Sequence, residues 1–337
     1  MQHGETARAG LHASPRRPRT PRRHRTRLVT VIGVLCALSV SVFAFAMQGG
    51  GNAKRAMHPA GGTSLSTTPG SYLGVYTPEG PVPYAGVTAF TRATGVRPKL
   101  VVYYSGWLEP FRTGFATTVA NHGAVPLVQI DPTDVSISAI ADGRYDAYLT
   151  SYARAVRAYR DPVILSFGHE MNGTWYSWGY QHTSPVVFVA AWRHIVTLFR
   201  ALGTRNVTWL WTITIIKTQH GKIPGPSPWW PGSSYVTWVG IDGYYLEPSS
   251  QFVPIFGPTN AAARELTGDP ILIAETSAIP AAVQPEKIAN LFAGIHTYGL
   301  LGFVWFDDVA SHDYRLRSPA AIAAFRQGAK TYSGLTR

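Results

Sequence analysis

The sequence predicts a (β/α)8 TIM barrel, preceded by a disordered basic leader, one apolar N-terminal transmembrane or signal helix and a flexible linker. Three observations predict it. Eight short apolar, β-rich runs recur beyond residue 71, and most intervals between them carry helical periodicity or helix start and stop residues. The repeating part spans about 265 residues, close to the ~250 typical of this architecture. A doubly wound open sheet is the rival, but no Gly-rich phosphate loop follows any of the runs.

The runs fall at 72–76 (YLGVY), 99–104 (KLVVYY), 125–130 (VPLVQI), 163–168 (VILSFG), 206–212 (NVTWLWT), 238–243 (WVGIDG), 271–275 (ILIAE) and 302–306 (GFVWF). Each is nearly continuous in apolar residues and bounded by Gly, Pro or Asp, as strands buried on both faces require. Between them, Tyr145, Tyr148, Leu149, Tyr152, Val156 and Tyr159 keep a period near 3.6, with Arg154, Arg157 and Arg160 on other faces. The stretch 185–202 opens on Pro185 and closes on Gly203, and 285–298 runs in the same way from Pro285 to Gly299. Residues 110–121, 258–267 and 319–330 read as shorter helices. The interval 213–237, with several prolines and Trp229-Trp230, reads as a long loop.

The N-terminal part has a different composition. Residues 1–27 carry eight arginines against Glu5 and so hold +7 of the formal +12, which leaves a charge elsewhere too diffuse for a phosphate-binding face. Residues 28–46 form an uncharged apolar run of 19, as a helix roughly 28 Å long, near the thickness of a bilayer core. The arginines ahead of it place the N-terminus in the cytoplasm. The segment 28–47 is therefore a membrane anchor or, because it contains Ala44-Phe45-Ala46, the h-region of a cleaved signal peptide. Either way the remainder is expected outside the cytoplasm, tethered or secreted. The only cysteine, Cys36, lies inside the run, so the exported part has neither thiols nor disulfides. Residues 48–70, rich in Gly, Ser, Thr and Pro, read as a flexible tether, with the domain proper over 71–337.

Charged residues make up 14% of the chain, while Trp and Tyr number 10 and 17. That balance suits a neutral polar ligand such as a sugar and argues against nucleic acid. In a barrel, functional groups come from the C-terminal ends of the strands. Those positions give Trp107, Asp131, His169, Glu170, Trp211, Asp242, Tyr244, Tyr245, Glu275, Trp305, Asp307 and Asp308. Glu170 and Glu275 each end an apolar run with no basic residue nearby in sequence, although desolvating a carboxylate is costly. Strands four and seven lie across the mouth from each other, so both acids can face one cleft. A carboxylate pair in a cleft lined by aromatic rings is the equipment of glycoside hydrolysis.

The same residues carry a resemblance. "HEMNGTWYSWG" (169–179) resembles the acid/base segment of glycoside hydrolase family 26, a family of many β-mannanases. "WWPGSSYVTWVGIDGYY" (229–245) resembles its sixth-strand segment, "ILIAETSA" (271–278) its nucleophile strand and "GFVWFD" (302–307) its eighth strand. The resemblance implies a retaining endo-hydrolase of a β-linked polysaccharide, with β-1,4-mannan as first substrate and no cofactor or metal. It implies Glu170 as general acid/base and Glu275 as nucleophile, with His169 touching the sugar at the cleavage point. It further implies Trp175 and Trp305 as stacking platforms, Tyr244 as a phenol on the nucleophile, and Asn172 as an orienting residue in the acid/base loop. Two departures, Ser233-Ser234 and Thr276-Ser277, bear on substrate choice more than on the reaction.

Plainer roles stand beside these. Trp107, Trp178 and Trp211 divide evenly between ligand contact and packing, whereas Trp192 and Trp209 read as core. Asp131 and Asp242 are each compatible with a turn. Asp307, Asp308 and His312 fit no standard metal spacing and read as hydrogen-bonding residues or a distal subsite. Two other functions fit the chain: the same mechanism on a β-glucan, a xylan or a self-made exopolysaccharide, and a non-catalytic polysaccharide-binding protein.

Overall fold

The computed structural model describes residues 64–333, apart from 79, 81–83 and 218–221. The leader, the apolar segment 28–47 and most of the expected linker lie outside the described residues. Among the described residues no helix is long and apolar enough to cross a membrane.

Eight parallel strands close into a barrel in chain order: β1 (Tyr72–Tyr76), β2 (Leu100–Gly106), β3 (Val125–Asp131), β4 (Val163–Phe167), β5 (Val207–Thr214), β6 (Trp238–Asp242), β7 (Ile271–Thr276) and β8 (Gly302–Phe306). All eight coincide with the apolar runs to within two residues. The helices are α1 (Ala85–Thr94), α2 (Thr113–Asn121), the short α3 (Ile137–Ala141), α4 (Asp146–Tyr159), α5 (Pro185–Ala201), α6 (Phe252–Leu266), α7 (Gln284–Thr297) and α8 (Pro319–Ser333).

Period-two alternation divides the strand residues into two cores. Leu100, Val102, Leu127, Ile164, Leu210, Trp238, Leu272 and Val304 fill the barrel interior, while Val101, Val128, Leu165, Trp209, Ile241, Ile273 and Phe303 pack outward against the helices. Trp192 and Trp209 lie in this outer core, as the sequence suggested. Toward the mouth the interior turns polar: Ser166 and Thr212 hydrogen-bond to each other at 3.0 Å.

The structure corrects two readings and bears out a third. Residues 65–70, assigned to the tether, belong to the barrel floor. Leu65 packs against the interior core, Tyr72 donates its hydroxyl to the Ser66 carbonyl at 3.1 Å, and the Gly70 amide bonds Leu300 O at 3.0 Å. Helix α6 begins six residues ahead of the expected 258, because Pro258 is tolerated inside the helix instead of starting it. Past β5 the described part of the chain to 237 is the long loop expected, and its residues 230–235 are anchored. Trp192 Nε1 donates to Tyr235 O at 3.0 Å, Arg193 Nε to Pro231 O at 2.7 Å, and Trp230 packs on Trp211.

One irregularity decides where the site forms. Between Ile273 and Thr276, β7 carries one residue more than either neighbour: Ile241 pairs Ile273 and Asp242 pairs Glu275 on one side, while Phe303 pairs Ile273 and Trp305 pairs Thr276 on the other. Leu272 and Ala274 already face inward, so strict alternation would send Glu275 out toward the helices. The β-bulge breaks the alternation and turns Glu275 to the mouth.

Closure between β1 and β8 needs a residue without a side chain at 302. Gly302 has φ 146, and a Cβ there would lie 1.7 Å from Tyr72 O. Gly302→Ala is expected to destabilise the domain by about 3 kcal/mol or more. Urea unfolding checks this, and a midpoint equal to wild type would refute it.

Candidate active site

Strand β4 ends at Phe167, and the chain then leaves the barrel through two left-handed residues, Gly168 and Glu170, both at φ 55. A non-glycine residue in that region is strained and persists only where its surroundings fix it. Here they do. The Glu170 amide bonds Thr212 O at 2.9 Å, and its carbonyl accepts from the Gly173 amide at 2.8 Å. Asn172 is fully buried: its Nδ2 donates to Thr214 O and its Oδ1 accepts from the Thr214 amide, both at 2.9 Å. Trp178 is buried with its Nε1 on His169 O at 2.8 Å, and its ring stacks on Tyr176 at 4.3 Å.

The Glu170 side chain stands at the edge of the mouth, partly exposed. Trp175 Nε1 donates to its Oε2 at 2.7 Å. Burial lifts its pKa, the neighbouring His169 charge lowers it, and Glu275 lifts it again, so that it stands at about 7. With Oε2 engaged by an indole N–H, the proton belongs on Oε1.

Glu275 receives two phenols. Tyr244, just past β6, donates to Oε1, and Tyr104, inward-facing on β2, donates to Oε2. Burial and then the Glu275 charge push both phenol pKa values well above 10, so both remain donors. The Tyr104 ring lies 5.5 Å from the His169 ring.

His169 sits below them, buried. Its Nδ1 is 2.9 Å from Asp131 Oδ1 and its Nε2 3.1 Å from Tyr176 Oη. Desolvation works against its charge, yet the Asp131 carboxylate and, behind it, those of Glu170 and Glu275 together outweigh that and raise the pKa to about 9. As an imidazolium it donates from both nitrogens, which leaves the Tyr176 hydroxyl hydrogen free for another acceptor.

A third acid lies in the same mouth. Asp242 is fully buried, pairs with Glu275 in the strand ladder, and neither of its oxygens has a hydrogen-bond partner. Burial, then the charges of Glu275 and Glu170, push its pKa far above the usual carboxylate range, so it is held neutral.

Several sequence expectations are corrected here. His169 was expected to touch the sugar, but both of its nitrogens are engaged and 3% of its surface is exposed. Asn172 and Trp178 secure the acid/base loop from within instead of binding ligand. Trp305 is no platform: it faces outward from β8, 1% exposed, against Phe325 of α8. Trp211 is buried in the outer core beside Trp230, and Trp107 packs on Tyr145, Tyr148 and Phe167. Asp307 braces its own loop by accepting the Leu316 amide at 2.7 Å, and burial raises its pKa to about 6. Asp308 takes the Val309 amide, and His312 contacts Ser311 and Tyr314. Among the described residues no cluster of three or more His, Cys, Asp or Glu stands ready for a metal. Trp175 alone of the expected rings presents a large face to solvent, 49% exposed. Sequence reasoning passed over Tyr104, gave Tyr176 no role, and placed Asp131 and Asp242 at the mouth without deciding between a functional role and a turn.

A closed parallel barrel with acids from β4 and β7 facing one mouth has the architecture of the two-carboxylate glycosidases. Comparison with known proteins narrows the class. The pattern of glycosyl hydrolase family 26 matches residues 134–266, a stretch that contains Glu170, Asp242 and Tyr244. Endoglucanase H of Acetivibrio thermocellus is 29% identical over 260 residues, covering 72% of this chain and 29% of that protein. The β-1,3-xylanase TXYA of a Vibrio species is 25% identical over 175 residues, covering 48% of this chain and 36% of that protein. The chain thus spans about a third of the length of these relatives. The structure of a family 26 β-mannanase from Bacteroides ovatus superposes with a TM-score of 0.62 at 16% identity, over 78% of this chain and 89% of that one. Residues 134–266 are thus similar to glycosyl hydrolase family 26, and the barrel shares the fold of the Bacteroides ovatus enzyme.

Replacing Asp131 by Asn removes the anion that holds His169 charged, and its pKa is expected to fall well below 9. The pair's contribution to stability is complete below the unfolded histidine value of about 6.5 and is lost as pH rises through about 9. Wild type should therefore lose that increment across this window, while Asp131→Asn should not. A 15N-edited titration of His169 with urea melts at both ends of the window checks this.

Proposed function

We propose that this chain is a retaining endo-glycoside hydrolase of a β-linked polysaccharide, acting by double displacement. The observation that carries the reading is the unequal treatment of two acids in one mouth. Glu275 accepts a phenol hydrogen bond on each of its oxygens, whereas burial and the Glu275 charge lift Glu170 to about 7. Glu275 attacks the anomeric carbon while Glu170 passes its Oε1 proton to the departing sugar oxygen. Glu170, now a carboxylate, then takes a proton from water, which opens the glycosyl ester. The exposed face of Trp175 beside Glu170 is placed to stack on a sugar ring.

For the backbone cleaved, β-1,4-mannan is the substrate implied by the sequence motifs, in keeping with the mannanase named among the structural neighbours. A second reading, a β-glucan, is favoured by one observation: the relative matched over 260 residues is named an endoglucanase. We propose also that the domain works outside the cytoplasm, tethered or secreted, on the strength of the arginine-rich leader and the apolar run that follows it.

Reducing-end release from mannan, β-glucan and xylan tests the reading. Wild type is expected to cleave one of them, Glu170→Ala to lose about 10²–10⁴-fold, and Glu275→Ala to lose at least as much, with polymer binding kept. Because Glu170 must begin protonated, kcat/KM should fall as pH rises through about 7. Binding without release from any polymer, even by wild type, would make the chain a binding protein instead.

A further inference from the structure

The geometry points to Tyr104 as a second catalytic phenol, which caps the attacking oxygen of Glu275 in the free enzyme and passes its hydrogen bond to the 2-hydroxyl of the sugar as the glycosyl bond forms. This deepens the double displacement proposed above and rests on it.

The two phenols originate on opposite sides of the barrel. Tyr244 follows β6, the strand beside β7, and approaches Glu275 along the barrel wall. Tyr104 belongs to β2, which β8 and β1 separate from β7 on one side and four strands on the other. A side chain from β2 that bonds Glu275 must cross the open mouth. Oε1 therefore looks to the wall and Oε2 to the space through which a sugar enters. The oxygen that attacks is Oε2, and it is the one that Tyr104 occupies. The Tyr104 ring, partly exposed, is positioned edge-on by Tyr76, with ring centroids 5.1 Å apart at 81°.

The chemistry then separates the two phenols. In the first step Oε2 forms a bond to the anomeric carbon, and the bond from that carbon to the leaving oxygen breaks. Its electron pair goes to the leaving oxygen, which takes the proton from Glu170. Glu275 becomes an ester whose carbonyl oxygen is Oε1, still a good acceptor for Tyr244. Oε2 becomes the ester's alkyl oxygen, a poor acceptor, so the Tyr104 hydrogen bond has to move; no proton is transferred. Two sugar oxygens lie next to the anomeric carbon. The ring oxygen shares the positive charge of the transition state and is a poor partner for a donor. The 2-oxygen is the partner left, and hydrogen bonds to that hydroxyl strengthen in the transition state of retaining glycosidases.

A cycle between enzyme and substrate tests this. kcat/KM is measured for wild type and Tyr104→Phe on the dinitrophenyl β-glycoside of a disaccharide that wild type accepts, and on its 2-deoxy counterpart. Removing the substrate hydroxyl should cost Tyr104→Phe at least tenfold less than it costs wild type. For Tyr244→Phe the two losses should simply multiply. A merely structural Tyr104 would lower both substrates by one common factor, and that result overturns the proposal. A second measurement needs no variant. Wild type is trapped with a dinitrophenyl 2-deoxy-2-fluoro glycoside and its crystal structure determined. Tyr104 Oη is expected beside the 2-substituent, with Tyr244 on the ester carbonyl. An ester with Tyr104 still bonded to either Glu275 oxygen sinks this inference and leaves the hydrolase intact. An enzyme that hydrolyses its polymer but forms no ester sinks the double displacement along with it.

Discussion

Three carboxyl groups share one poorly solvated mouth, and the site is organised around preventing all of them from being charged at once. Like charges a few ångströms apart in a low-dielectric setting repel by several kcal/mol. The chain resolves the conflict by giving each acid different surroundings. Glu275 receives phenols on both oxygens, Glu170 receives one indole N–H and an imidazolium below it, and Asp242 receives nothing. A carboxyl without a donor, sealed from water beside two others, is neutral. A carboxyl that accepts from two phenols has both oxygens fixed in place. Glu170 lies between these extremes, which is where a group that must first give and then take a proton belongs.

Two local departures from regular backbone make that assignment of roles possible. The bulge in β7 turns Glu275 inward one residue after Ala274, where alternation would have pointed it away. The left-handed conformation of Glu170 bends the chain off β4 so that its side chain meets Trp175 at the rim. The second is secured from beneath by the two-way bond between the buried Asn172 and Thr214. The strained residue is thus held by the scaffold, and the aromatic loop over it is free of that duty except where Trp178 pins His169 O.

The barrel was legible because parallel strands buried on both faces leave continuous apolar runs, and a run needs no partner to be recognised. The two glutamates were legible for a related reason, since each interrupts such a run at its end. The interior of the mouth was not. Tyr104 sits inside "VVYY", where composition says only that the strand is buried; alternation from Val102 would have placed it inward, but strand-end reasoning passed on to Trp107. Trp305 misled in the opposite sense, since its position near the end of β8 suggests the mouth while its parity sends it outward to Phe325. Asp131 was ambiguous because its partner, His169, is 38 residues away, and no local pattern reports a pairing at that distance. The bulge that aims Glu275 is invisible in one strand, being a mismatch between three.

The surroundings of Glu170 also couple binding to acidity. Its pKa stands near 7 in the open site, where burial is the largest upward influence. In the proposed reaction a sugar stacked on the exposed face of Trp175 removes further water from the neighbouring carboxyl, which raises the pKa and keeps the proton in place until the leaving oxygen demands it. Once Glu275 is esterified, its charge is gone, and so is one of the influences that kept Glu170 neutral. Departure of the leaving sugar readmits water and lowers the pKa again, while the imidazolium of His169 continues to favour the carboxylate. The first half-reaction therefore creates the conditions for the second. The acid becomes a base because the charge beside it has been consumed and the water it lacked has returned, with no movement of the backbone required.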